Sequence, residues 1–143
     1  IKDGKVIGSH LLGQEFSEAK YFWGRLSAHN YNAVDSGGSN LSQANPKLLE
    51  AVNARVATLQ KADPKNKDKI PVDLVTASAS GLDPHISIAA AKYQVGRIAK
   101  ARNIKPEEIQ TIIDKHIDWQ SNIFGDDYVN VLELNLALDE GKK

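Results

Sequence analysis

The chain has no cysteine, which excludes disulfides, thiolate-bound zinc, iron–sulfur clusters and thiol catalysis. It also has no methionine, not even at position 1. A translated product starts with Met, so Ile1 is expected to be a truncation or processing point. Neither sign of charge is in excess, because 18 Lys plus Arg balance 18 Asp plus Glu. Sequence-independent nucleic-acid binders take most of their affinity from phosphates and carry a basic surplus, so that class is disfavoured. Long hydrophobic runs are missing too. The longest unbroken one is Ile88 to Ala91, whereas a membrane-spanning helix needs about 20 mostly apolar residues. No secretory signal pattern is visible. What remains is a chain of 143 residues, 41% hydrophobic and 25% charged. That is the profile of a single globular domain, residues 1–143, large enough to bury a core without covalent staples.

Local patterns divide it. Val6 to Leu12, bounded by glycines, reads as a strand. From Phe16 to Asn40 the aromatics, Asn, Ser and Gly follow no period, so irregular structure is expected. Asn45 followed by Pro46 is a helix start signal, since proline lacks the N–H that the first turn leaves unpaired. Leu49, Val52, Val56 and Leu59 then form one apolar stripe. The segment Lys61 to Pro71 reads as a solvated loop. Val72 to Ser78, β-branched after a proline, reads as a strand. Asp83-Pro84 predicts a second helix over His85 to Arg102, with a seam of Ile88, Ala91, Val95 and Ile98. Pro106 opens a third, with Glu107 and Glu108 where the helix dipole favours negative charge. The last segment is ambiguous. Leu132, Leu134, Leu136 and Leu138 alternate as in a strand, yet Asn130 with Glu133 resembles a capping box and Val131, Leu134 and Leu138 suit a helix. Helix is the preferred reading. The fold class is α/β: one compact domain, a short sheet packed by about three to four helices.

Chemistry-bearing motifs are sparse. Neither a GxxxxGK[ST] loop nor a GxGxxG turn is present. The adjacent glycines of Ser36-Gly37-Gly38-Ser39-Asn40 could make an anion-holding nest, although an ordinary loop explains them better. The histidines His10, His29, His85 and His116 lack metal-pair spacing. His85 reads as a hydrogen-bonded structural residue ahead of a catalytic base. Glu107-Glu108 and Asp126-Asp127 are adjacent pairs, which point in different directions on a helix and form no two-carboxylate site by themselves. No GxSxG elbow supports a hydrolytic triad. The aromatics of 21–31 read as packing for a loop, with a ligand-stacking platform as the weaker reading.

Several segments taken together resemble one family. They are GSHLLGQEF at 8–16, YFWGRLSA at 21–28, YNAVDSGGSNL at 31–41, NPKLLEAVNAR at 45–55, VDLVTASASGLDPHIS at 72–87, AAAKYQVGRIAKARN at 89–103 and FGDDYVNVLELNLALD at 124–139. In order and spacing these are similar to the C subunits of Kdp potassium-transporting ATPases. Three positions depart from the usual pattern: Leu26 stands where the family has Pro, Ser42-Gln43 near a Gly-Pro, and Asp127-Tyr128 near a basic residue.

The resemblance implies a non-catalytic accessory subunit of an ATP-driven potassium importer in the bacterial inner membrane. Its partners are a potassium-channel-like subunit and a P-type ATPase subunit, and a membrane helix precedes the soluble domain. Two roles are implied. In one, a catalytic chaperone raises the ATP affinity of the ATPase subunit, with weak nucleotide contact through Ser36, Gly37, Gly38, Ser39, Asn40 and Gln94. In the other, an extracytoplasmic (periplasmic) domain supports assembly over the channel-like subunit. The assembly role is preferred, because the sequence offers no lysine-bearing phosphate loop. No firmly bound cofactor, no metal and no nucleic acid are expected. Tyr21, Phe22 and Trp23 are the expected partner-binding patch. The rival reading is a stand-alone small-molecule binding module built on segment 21–40, which predicts a deep apolar pocket there.

Overall fold

The computed structural model describes residues 8–9, 11–27, 31–32, 45–118 and 127–141. Helix α1 (Pro46–Ala62) begins as the Asn45-Pro46 pair dictates, with the Asn45 side chain accepting from the Lys47 N–H. It ends at the charged loop that the prolines predict. Its stripe is buried only at the far end: Leu59 is in the core while Leu49 is 62% exposed.

A three-residue 3-10 turn, Val72–Leu74, follows. The strand expected over Val72 to Ser78 does not form. The Val75 and Thr76 N–H groups and the Thr76 hydroxyl all bond the Val72 carbonyl, and only Ala77 makes a single parallel bridge, to Leu26. Local turn bonds outweigh the β-branched propensity, which is a weak force without a pairing partner. Within the strand expected at Val6 to Leu12, the described residues also turn: the Leu12 N–H bonds the Ser9 carbonyl.

The helix expected from His85 starts three residues late. His85–Ser87 is strand β1, Ser87 caps α2 (Ile88–Tyr93) by accepting from the Ala90 N–H, and Gln94 joins α2 to α3 (Val95–Arg102). Helix α4 (Pro106–Lys115) begins at its proline, with the Glu108 carboxylate accepting from the Lys105 N–H. Strands β2 (Ile117–Asp118) and β3 (Tyr128–Asn130) follow. The ambiguous last segment is helix α5 (Val131–Glu140), and Asn130 accepts from the Leu132 and Glu133 N–H groups. The sheet is antiparallel with order β1-β3-β2, pairing Ile86 with Val129 and Ile117 with Val129. A short sheet packed by helices is the α/β arrangement expected, with five α-helices among the described residues. No described helix is long and apolar enough to cross a membrane.

The core gathers Ile98, Ile109, Ile113, Val129, Leu134 and Leu138 from helices and sheet, together with Phe22 and Trp23 from the irregular segment. That segment crosses the interior without a strand partner, and buried backbone polar groups must still be paired. Side chains supply the pairs. Asn135 of α5 accepts from the Phe22 N–H at 2.7 Å and donates to the Phe22 carbonyl at 3.0 Å. Gln94 does the same for Trp23, at 2.8 and 3.0 Å. The neighbouring carbonyls are held by guanidinium groups: Ala19 by Arg97, Lys20 by Arg102 and Gly24 by Arg55.

This dependence separates two kinds of polar residue. Gln94→Leu leaves both Trp23 backbone groups buried and unpaired and should lower unfolding free energy by about 3 kcal/mol. Asn45→Ala removes a cap at an exposed helix start and should cost about 1 kcal/mol. Urea denaturation of the two variants checks the ordering, and equal losses would contradict it.

Candidate functional site

Of the three aromatics expected to form a surface patch, two are interior. Phe22 is 0% and Trp23 6% exposed. Trp23 lies between two cations, with Arg97 at 4.1 Å and Arg55 at 5.5 Å from its ring centre, and its indole N–H donates to the Glu18 carbonyl. Burial pushes the Arg97 guanidinium down to about 10, partly opposed by Asp63, so it remains charged at neutral pH. Tyr21 alone reaches the surface. Its hydroxyl donates to Asp139 at 2.9 Å, and Arg102 links the same carboxylate to the Leu138 carbonyl. These aromatics therefore pack the loop onto the core. A run of YFW flanked by polar residues does not by itself reveal which way the rings turn.

Gln94, expected to assist a nucleotide, is 1% exposed. Its oxygen accepts from the Trp23 N–H and from Arg97, and its nitrogen donates to the Trp23 and Ala90 carbonyls. The other nucleotide-loop residues, Ser36, Gly37, Gly38, Ser39 and Asn40, lie outside the described residues, as do His10 and His29. Among the described residues no group of three or more His, Asp or Glu is placed to hold a metal ion.

A pocket of about 250 Å³ touches segment 21–31 between Phe16, Trp23, Arg25, Tyr31 and Arg55. The larger concavity lies elsewhere. A cleft of about 850 Å³ runs beside β1, lined by Pro71, Val72, Asp73, the stretch from His85 to Ala89, and Tyr128, with Arg25, Asp83 and Asp127 at its polar positions. Among the described residues strand β1 pairs only with β3, and its residues His85 to Ser87 line this cleft. Two of its N–H groups are covered by carboxylates. His85 donates to Asp83 at 3.0 Å and Ser87 to Asp73 at 2.8 Å. The Ser87 hydroxyl also donates to Asp73, at 3.1 Å. Charged caps of this kind prevent an edge strand from pairing with a foreign strand.

Asp83 organises the polar end. It meets Arg25 at 3.1 Å and the His85 ring Nδ1 at 3.3 Å, while the His85 and Tyr128 rings lie 4.6 Å apart. His85 is therefore hydrogen-bonded, as the sequence suggested. Burial alone would raise the Asp83 carboxyl. The opposing hydrogen bonds from the His85 side chain and backbone and from Arg25, with the charge of Arg25, together hold it below its ordinary 3.8. Sequence reasoning had found His85 but not its partners. Arg25, which pairs with Asp83, and Tyr128, whose ring meets His85, are distant in the chain, and Asp83-Pro84 read only as a helix start.

A folded-state depression means that Asp83 contributes stability above the unfolded carboxylate range, and that this is lost as pH falls through the folded value. Wild-type stability should decline from about pH 4 downward. Asp83→Asn should be less stable at neutral pH and show a shallower acid limb. Denaturant midpoints measured between pH 2 and pH 7 check this, and parallel curves for the two proteins would contradict it.

The whole chain matches known proteins. The family model described as "KdpC: K+-transporting ATPase, c chain" aligns with residues 1–140. A protein of Ralstonia nicotianae called "Potassium-transporting ATPase KdpC subunit" is 55% identical over 145 residues, covering 99% of this chain and 71% of its own length. Proteins of the same description from Dechloromonas aromatica and Methylococcus capsulatus are 52% and 53% identical, with 100% and 96% of this chain covered and 77% and 75% of theirs. Identity at this level over nearly every described element means that the chain belongs to the KdpC family of potassium-transporting ATPase subunits.

Proposed function

We propose that this chain is a non-catalytic accessory subunit of an ATP-driven potassium importer, acting by supporting assembly with a channel-like and a P-type ATPase subunit. The observation that carries this is the match of residues 1–140 to the family model. In this reading the domain lies on the extracytoplasmic face of the inner membrane and meets little ATP. The geometry of Gln94 favours the assembly role over the catalytic-chaperone role. Both ends of its amide are engaged within the core, so nucleotide contact would have to break the bonds that hold Trp23. The small pocket beside segment 21–31 is about 250 Å³, below the roughly 300–1,000 Å³ usual for ligand pockets. That disfavours a stand-alone small-molecule binder built on the described part of segment 21–40, residues 21–27 and 31–32.

The test is potassium-stimulated ATP hydrolysis by a Kdp complex lacking its C subunit, with this chain added back on a membrane anchor. Restored turnover with unchanged KM for ATP is expected. A lowered KM would favour the chaperone role instead, and no restoration by a folded, inserted fusion would overturn the subunit reading. The isolated chain should bind ATP no tighter than millimolar, about −4 kcal/mol. Micromolar affinity in a calorimetric titration, lost in Gly37→Val, would contradict the assembly preference.

A further inference from the structure

The cleft beside β1 has a defined charge and a defined shape. Its apolar lining includes Pro71, Ile86 and Ile88, together with Val72, which is 70% exposed. Three carboxylates and one guanidinium line it, leaving it acidic although the chain as a whole is neutral. The acids are not equivalent. Asp83 is matched by Arg25 and His85, and Asp73 by the Ser87 N–H and hydroxyl. Asp127 differs, because its Oδ1 is withdrawn from solvent with no hydrogen-bond donor among the described residues. Arg25, the guanidinium that lines the cleft, is engaged by Asp83, so the buried Asp127 oxygen is best satisfied by an incoming cationic donor. Tyr128 adds an aromatic ring beside it, a surface on which a cation or its methylene stem can lie. The β1 edge is closed to strand addition by Asp73 and Asp83, so recognition here must run through side chains.

Resting on the reading of this chain as a subunit of a larger assembly, we propose that the β1 cleft is an interaction surface for a partner polypeptide, which inserts a lysine or arginine beside Asp127 and lays an adjoining apolar side chain on Val72 and Ile88. Charge complementarity selects the basic residue, and the exposed valine selects its apolar neighbour. The volume of about 850 Å³ exceeds what a single amine fills and suits two adjacent side chains.

The test is a titration of the 143-residue chain with acetyl-Leu-Lys-amide, acetyl-Leu-norleucine-amide and n-butylamine at low salt, followed by backbone amide NMR. The lysine peptide should bind in the millimolar range, perturbing Ile86 to Ala89 and Tyr128, and the neutral peptide should bind about tenfold more weakly. Asp127→Asn should reduce the lysine peptide to the level of the neutral one. Val72→Lys, at an exposed position that does not threaten folding, should weaken it too by placing a competing cation in the cleft lining. Equal binding of the two peptides, no binding of the lysine peptide, or no effect of either substitution would overturn the proposal. Butylamine binding as tightly as the peptide would also overturn it, marking a site for a free amine. No Kdp partner enters this titration, so its failure leaves the subunit reading to the ATPase assay.

Discussion

The structure depends on two side-chain amides acting as strand partners. Residues 22 to 24 are buried without a strand partner, which would ordinarily leave their backbone donors and acceptors unpaired in a low-dielectric environment. Asn135 and Gln94 each present one oxygen and one nitrogen to a single residue, Phe22 and Trp23 respectively. A side-chain amide carries the same donor–acceptor pair as a backbone peptide, so each reproduces the two-way exchange of an antiparallel pair. Because Gln94 sits at the joint between α2 and α3 and Asn135 in α5, the clamp draws three helices onto one segment. The rings of Phe22 and Trp23 then fill the space between them.

Charge is used inside this core in an unusual balance. Arg97 and Arg102 are both largely buried, yet only Arg102 reaches a carboxylate, Asp139 at 2.8 Å. Arg97 relies on the Ala19 carbonyl, the Gln94 amide oxygen and the face of Trp23. Guanidinium tolerates this better than ammonium, being planar, weakly hydrated and able to stack while donating in its own plane. Lysine at 97 would lose both the stacking and the forked donation. These arginines organise the path of the chain: Arg97 and Arg102, both of α3, fix the Ala19 and Lys20 carbonyls, and Arg55 of α1 fixes that of Gly24.

How much of this is legible in the sequence follows from range. Helix starts at Asn45-Pro46, Pro106 and Asn130 were readable because a cap and a first turn lie within four residues of each other. The ambiguous leucine alternation resolves the same way, since Asn130 bonds two N–H groups of its own helix. Strand β1 was not readable. Three residues cannot show a period, and His85–Ser87 is extended because β3, more than forty residues later, pairs with it. The clamp left a fainter trace. Asn135 falls on the face marked by Val131, Leu134 and Leu138, and Gln94 on the seam of Ala91 and Ile98. A polar residue on an otherwise apolar helical face is a sign of an interior hydrogen-bond partner, although it does not say which segment it holds. The cleft was the least visible feature, because its polar residues come from four separate stretches.

Clamp and cleft are joined through Arg25. Gln94 fixes Trp23, Arg55 fixes the Gly24 carbonyl, and the next residue is Arg25, whose guanidinium donates to Asp83 and to the Ala77 carbonyl. Asp83 in turn holds the His85 N–H and ring, which sets the edge of β1 and one wall of the cleft. The chain of contacts is short and each link is a directional hydrogen bond, so the position of the cleft wall is tied to the interior amides rather than to loop stiffness. This explains why an irregular segment can serve as a scaffold. The backbone groups of Phe22 and Trp23 are paired as a strand's would be, but the pairs come from helices, leaving the outer edge of the real sheet beside an open concavity.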